Sequence, residues 1–274
     1  MSGRAGRIFA ARAVVALLLL GCASGTGTGA RIKIRALTYN IHAGADAGGQ
    51  PNLERVAALL DSLDADVVLL QEVDRGTERS GRVDQLALLE RLTARRGAFA
   101  KSLDYQGGEY GIAALSRWPI AWARTVPLPV EPPQARAGGA VEPRVGLHLL
   151  LTTPAGPLHV LNTHLDPSGP GTYRRQELVG LLAYVTRSIP RDAPLVLGGD
   201  LNARPGTDEI AALSLALEDA WHACGSGEGA TFPASAPDRR IDYLFLRRAG
   251  CRSAQVIPTQ ASDHRPVLVL LEVP

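Results

Sequence analysis

One rhythm narrows the possible folds more than anything else in this chain. From Arg31 onward, short runs rich in Val, Ile and Leu alternate with longer stretches of helical period, and several of the runs end on a carboxylate, an amide or an imidazole. DVVLLQEV (66–73) and PLVLGGD (194–200) are apolar for four residues in a row before the polar end, as expected of strands buried on both faces. The halves echo each other loosely: TYN then DVVLLQE, LNTH then APLVLGGDLN. Two packed sheets with helices outside them satisfy this pattern, and so does a single doubly wound sheet.

Along the chain, IKIRALTYNI (32–41) reads as a strand and NLERVAALLDSL (52–63) as an amphipathic helix capped by Asn52. VDQLALLERLTARRG (83–97) reads as a helix ending at Gly97, and YGIAALSRWPI (110–120) as a strand broken by a turn at Trp118-Pro119. Residues 127–143, rich in Pro and Gly, read as a long loop between the halves. Strands are expected near 144–152, 157–164, 194–199, 241–247, 252–258 and 266–272, with a helix over 172–189 and helical turns over 207–221.

The first residues follow a different logic. Arg4, Arg7 and Arg12 precede an apolar stretch, Ala13 to Leu20, that is too short to span a bilayer as a finished helix. It stops at Gly21-Cys22, and LLGCASGTGTGA resembles the lipobox of bacterial lipoproteins, in which cleavage before the cysteine leaves a lipidated N-terminal Cys22. On that reading residues 1–21 are a lipoprotein signal peptide, 22–30 a flexible tether and 31–274 the folded domain, held outside the cytoplasm at a bacterial membrane. Removing 1–21 takes away three arginines and no acid, so the formal charge of +2 becomes −1. A strong nucleic-acid binder carries a basic excess that such a domain lacks. Cys224 and Cys251 remain as an even pair in an oxidising compartment, where a disulfide and two small thiols are both open.

Polar residues set directly on apolar runs are Asn40, Glu72, His164 with Asp166, Asp200, Asn202, Asp242, Asp263 and His264. Each alone has an ordinary structural explanation as a cap, a turn or a core histidine. Together they are the groups that bind a hard divalent cation and activate water beside a phosphate, and oxygen donors with little thiolate suit Mg2+ or Mn2+ better than structural zinc. HExxH, paired CxxC, GxSxG and GxxxxGK[ST] are all absent, which argues against zinc proteases, serine hydrolases and P-loop nucleotide hydrolysis.

The ordered set TYN (38–40), QE (71–72), YGIAALSRWPI (110–120), LNTHLD (161–166), GDLNARP (199–205), RRIDYLF (239–245) and SDHRPV (262–267) resembles the endonuclease/exonuclease/phosphatase superfamily. That superfamily includes pancreatic-type deoxyribonuclease, exonuclease III, bacterial sphingomyelinase and inositol polyphosphate 5-phosphatases. The resemblance implies an α/β fold, a four-layer α/β/β/α sandwich of two packed mixed sheets flanked by helices, and metal-dependent phosphoester hydrolysis. It implies that Glu72 is the principal metal carboxylate, with Asn40 nearby and Asp263 as a second acidic contact. Asp200 matches the residue that orients or deprotonates water, and Asn202 the amide on a phosphate oxygen. His164 matches the histidine that stabilises charge on the phosphoryl group or protonates the leaving group. Asp242 and His264 match a carboxylate–imidazole pair, with the general base open between Asp200 and His264. Arg144 resembles a phosphate-contacting arginine of the deoxyribonuclease branch, and a solvated strand-start arginine is the alternative.

Two departures bear on the substrate. His42 stands where the exonuclease III branch has an acid, and RRIDYLF replaces the tryptophan-rich motif of the inositol phosphatases. The expected partners are therefore a phosphoester substrate, foremost a phospholipid or sphingolipid headgroup, and the membrane surface itself, with the chain acting as a monomer. The alternatives are an exported nuclease, in which nucleic acid enters only as substrate, and a binding lipoprotein that has lost catalysis.

Overall fold

The computed structural model describes residues 31–133 and 142–274, together with residues 1 and 3. The expected signal peptide apart from residues 1 and 3, Cys22, the expected tether at 22–30 and residues 134–141 of the Pro-rich segment lie outside the described residues.

Twelve strands and five α-helices are described. One six-stranded sheet runs β11 (Gly250–Val256), β12 (Val267–Val273), β1 (Ile32–Asn40), β2 (Val67–Arg75), β4 (Gly108–Ser116), β3 (Arg96–Tyr105). The other runs β5 (Ile120–Leu128), β6 (Arg144–Thr153), β7 (Gly156–His164), β8 (Leu195–Asp200), β10 (Asp242–Arg247), β9 (Glu218–Asp219). Strand period explains the layering. Val67 and Leu69 of β2 face the apolar layer between the sheets with Leu147, Val160, Val196 and Leu244, while Val68 and Leu70 face α1 (Leu53–Ser62) and α2 (Gln85–Thr93). Leu195 and Leu197 of β8 likewise face α3 (Thr172–Ser188) and α4 (Asp208–Ala216), and Val196 faces the other sheet. Because both faces are covered, the central strands read as unbroken apolar runs. The result is the four-layer α/β/β/α sandwich rather than one doubly wound sheet.

The echo between the halves is structural. β1 and β2 are parallel, with Asn40 opposite Gln71, and β7 and β8 are parallel, with His164 opposite Asp200. Each parallel pair is joined through a helix, so its polar strand ends emerge at the same edge of its sheet.

Several elements differ from the sequence expectation. The helix over 83–97 ends at Thr93, because Ala94 turns left-handed (φ 51°), and the chain then forms edge strand β3. That strand is mostly half-exposed and mixes Arg, Lys and Asp with apolar residues, so no period of two marks it. The segment 110–120 is two strands, and Trp118-Pro119 is where the chain leaves the first sheet for β5 at the edge of the second. The turns over 207–221 resolve into α4, the short β9 and α5 (Ala220–Cys224). Asn52 precedes α1 but makes no side-chain cap; its Nδ2 donates instead to Ala261 O at 2.6 Å, tying the helix start to the loop that carries Asp263 and His264. Cys224 and Cys251 form a disulfide between α5 and β11, with Cα atoms 5.9 Å apart.

A second polar cluster lies on the β5–β7 side of the molecule. Buried His148 bonds Tyr184 Oη through Nδ1 and His159 Nδ1 through Nε2, each at 2.9 Å, and Trp122 packs edge-on against its ring. Burial, then the neighbouring His159 and Arg124, push His148 down from 6.5 to about 3. The unfolded chain therefore binds a proton there that the native chain refuses, and stability falls as pH drops below 6.5. The loss from this residue is about 1.4 kcal/mol per pH unit, or about 2 kcal/mol at pH 5. Urea unfolding at pH 7 and pH 5 should show a steeper acid loss in the native protein than in His148→Leu. Equal losses would mean that His148 is not held neutral.

Candidate active site

The strand ends of both sheets meet at a cleft of about 460 Å³, lined among others by Glu72, Arg144, His164, Asp200, Asn202, Asp263 and His264. Asn40 and Asp242 stand just behind these residues and touch them. All nine site residues anticipated from the sequence are thus drawn into one constellation, although they span positions 40 to 264.

A bulge re-aims Glu72. Between the pairs Leu70–Ala113 and Val73–Gly111, β2 carries two residues, Gln71 and Glu72, where β4 carries one, and Glu72 adopts φ 55°. A left-handed glutamate inside a strand is disfavoured, so the surroundings must hold it there. Asn162 of β7 does much of this from the facing sheet. Its Nδ2 donates to Leu70 O and Ala113 O at 2.8 Å each, and its Oδ1 accepts from Gln71 Nε2 at 2.7 Å. All of these atoms are buried, and the bonds clamp the two sheets together at the bulge.

Asn40 Nδ2 lies between two carboxylates, 3.0 Å from Glu72 Oε1 and 3.1 Å from Asp200 Oδ2, while its Oδ1 accepts from His42 N. Asp200 ends β8 after Gly198 and Gly199. Gly199 sits at φ 139°, and a Cβ there would stand 1.8 Å from Thr163 O, so only glycine lets β7 and β8 approach this closely beside the site. Asp200 Oδ1 accepts from Asn202 N at 2.9 Å, and Oδ2 lies 3.5 Å from His164 Nε2 and 3.7 Å from His264 Nε2. Asn202, also left-handed (φ 49°), donates its Nδ2 to Leu165 O at 3.0 Å and lines the cleft.

Antiparallel pairing sets Asp242 opposite Asp200, and Asp242 Oδ2 lies 2.9 Å from His264 Nδ1. Ser262 places the histidine's loop: its Oγ donates to Asn40 O at 2.7 Å and accepts from His264 N at 3.3 Å. Phe232 packs on the His264 ring with centroids 4.6 Å apart. Burial, reinforced by Asp242, pushes Asp200 up to about 7, with His264 pulling the other way. Burial alone would lower His264, but Asp242 and Asp200 outweigh it and hold the ring charged, up to about 10.

Arg144 is buried, and its Nη1 pairs with Glu142 Oε1 at 2.7 Å. It lines the cleft rather than standing in solvent at a strand start. Behind it, burial raises Glu177 to about 7.

The donors at the cleft fit a hard divalent cation. Glu72 and Asp263 offer carboxylate oxygens to the cleft, and the amide of Asn40 bridges Glu72 to Asp200. Asp200, Asp242 and His264 place ligand atoms within 4.8 Å of one another, but the Asp242 and His264 atoms in closest contact are spent on each other. That trio is a charge-compensated array, whereas Glu72 has its cleft side open to an ion.

A model of the endonuclease/exonuclease/phosphatase family matches residues 37–264, from the strand that carries Asn40 through His264. The chain belongs to this family. Its members are phosphoesterases that generally use divalent metals. Uncharacterized protein YbhP of Escherichia coli K12 is 24% identical over 252 residues, covering 86% of this chain and 95% of that protein. Sphingomyelinase C of Listeria ivanovii is 25% identical over 167 residues, covering 52% of this chain and 47% of the enzyme. The crystal structure of an endonuclease/exonuclease/phosphatase from Bacteroides vulgatus superposes with a TM-score of 0.73 at 22% identity, over 89% of this chain and all of that one.

Sequence reasoning missed Gln71, Asn162 and Ser262, which position the site, and Arg79, Tyr105 and Phe232, which line the cleft. An amide inside the apolar run HVLNTH was a usable signal for Asn162. Nothing local distinguishes Arg79 from other loop arginines.

Proposed function

We propose that this phosphoester hydrolase is a divalent-metal-dependent phosphodiesterase acting outside the cytoplasm, held at a membrane by lipid on Cys22, with phospholipid or sphingolipid headgroups as its substrate class. The observation that carries the reaction is the convergence of Glu72, Asp200 and the Asp242–His264 pair at one cleft, Asn40 bridging the first two. The lipobox-like LLGC and the local similarity to a sphingomyelinase support the location and the headgroup class. No helix among the described residues is long and apolar enough to cross a membrane.

Glu72 and Asp263, with Asn40 beside them, would hold Mg2+ or Mn2+. The bound ion supplies Lewis-acid stabilisation of charge on the phosphoryl oxygens. The protein's own groups do the rest. Asp200 orients the attacking water and takes its proton, its carboxylate fixed by Asn202 N and Asn40 Nδ2. Asp242 keeps the His264 ring oriented and charged, so that its Nε2 side presents positive charge to the site. His164 faces the same carboxylate and the leaving group, and Asn202 and Arg144 contact the phosphate oxygens.

The test is a substrate panel of bis-p-nitrophenyl phosphate, phosphatidylcholine, sphingomyelin, phosphatidylinositol 4-phosphate, plasmid DNA and RNA. It is run with Mg2+, Mn2+ or EDTA, on the protein from residue 31 and on His264→Ala. Metal-dependent cleavage of the diester and of a lipid headgroup, lost in His264→Ala, is expected. Fast cleavage of nucleic acid with lipids untouched would replace the lipid reading by an exported nuclease. Activity that survives both EDTA and the substitution would overturn the mechanism.

A further inference from the structure

The wall of the cleft opposite the strand ends belongs to the β3–β4 hairpin and the loop after β2, and it holds an arginine built in with unusual care. Arg79 Nε and Nη2 donate to the two oxygens of Asp74 at 2.7 and 2.8 Å. Asp74 has no exposed surface and also accepts from Thr77 Oγ1 at 2.7 Å. The guanidinium carbon lies 4.9 Å from the Tyr105 ring centre and 5.3 Å from that of Tyr110, and the backbone N–H of Arg79 donates to Gln106 Oε1 at 2.9 Å. This fork is ordered before anything binds, yet 36% of the side chain is exposed, it lines the cleft, and its Nη1 donates to no described residue.

A staple for Asp74 needs only the Nε–Nη2 edge. The remaining edge is a pre-ordered donor pair in a cleft otherwise bordered by Glu72, Glu142, Asp200 and Asp263. The cleft's other guanidinium, Arg144, is 3% exposed and already paired with Glu142. A planar fork with no further ordering cost suits a phosphate oxygen. The same stacking disfavours a quaternary ammonium, because a cation already occupies the faces of Tyr105 and Tyr110 that an aromatic cage would offer.

We propose that Arg79 is a specificity-determining residue that selects phosphodiesters bearing a second phosphate over those with neutral or choline-type headgroups. This deepens the phosphodiesterase reading and rests on it for turnover, though not for binding. A second phosphate can come from a free phosphoester or from a phosphorylated lipid headgroup.

Two matched pairs separate these sources. Calorimetry compares thymidine 5′-phosphate with thymidine 3′,5′-bisphosphate in the presence of Mg2+. Cosedimentation compares vesicles containing phosphatidylinositol with vesicles containing phosphatidylinositol 4-phosphate. The bisphosphate member of at least one pair should bind about 10-fold more tightly, as expected for one charge-assisted contact. Arg79→Met should remove that preference, and Arg79→Lys, which leaves Asp74 a cationic partner, should keep part of it. No preference in either pair, or a preference that Arg79→Met leaves intact, overturns the inference even if the protein is an active phosphodiesterase. A preference that depends on Arg79 in a protein that cleaves no diester would sustain it while overturning the proposed reaction.

Discussion

Asp200→Asn should cut kcat/KM for bis-p-nitrophenyl phosphate by about 10²–10⁴-fold, the range associated with a positioned general base. The substitution is isosteric, and asparagine can still accept from Asn202 N at the cost of the bond from Asn40 Nδ2, so the circular dichroism spectrum should be unchanged. Asp200 is buried beside Asp242 and pushed up to about 7, so removing its charge relieves like-charge repulsion that the native fold carries. Activity should therefore collapse without a comparable fall in thermal stability. A variant retaining more than about a tenth of wild-type kcat/KM would move the proton-accepting role elsewhere in the array. A Tm loss large enough to account for the missing activity would reduce Asp200 to a structural residue.

A large effect on stability should come from Asn162, which touches neither substrate nor metal in the proposed mechanism. Asn162→Leu removes the Nδ2 bonds to Leu70 O and Ala113 O and leaves buried Gln71 Nε2 with only its longer contact to Thr38. Three buried hydrogen bonds are lost at about 1 kcal/mol each, so a total of about 2–4 kcal/mol is expected, read by urea unfolding. Destabilisation alone does not prove a positioning role. The distinguishing readout is the Mg2+ concentration for half-maximal activity, which should rise several-fold because Glu72 loses the bulge that aims it. Leu213→Ala, a buried change in the helix layer outside the second sheet, should cost about 2–5 kcal/mol and leave that concentration unchanged. Parallel shifts in both variants would make Asn162 a sheet clamp and nothing more.

The sequence was most legible where burial is complete. In β8 every position is buried, as is each of residues 67–71 of β2, so the apolar run and its polar end are written in consecutive residues. Legibility fell at the edges. β3 and β5 lie at the margins of their sheets, where partial exposure permits Lys, Arg and Pro and erases the strand period. Asn52 was misread for a related reason: a residue favoured as a helix cap found a stronger partner 209 positions away, in Ala261 O.

The residues of the site divide in the same way. Asn40, His164, Asp200 and Asp242 announce themselves because a strand end is a position local sequence specifies, and Glu72 within β2 and His264 just before β12 stand out as polar groups against the neighbouring Val and Leu. By itself the sequence determined the alternation of strands and helices, the family and the chemical types gathered for phosphoester hydrolysis. Only the tertiary structure decided that β2 bulges at Glu72, that Asn162 reaches across from the other sheet to hold that bulge, and that Arg79 is pinned in the facing wall. Each of these depends on backbone carbonyls, rings or carboxylates brought together by sheet packing. A contact between residues 70 and 162 leaves no periodicity in either segment, because its energy is realised only when the two sheets close on each other.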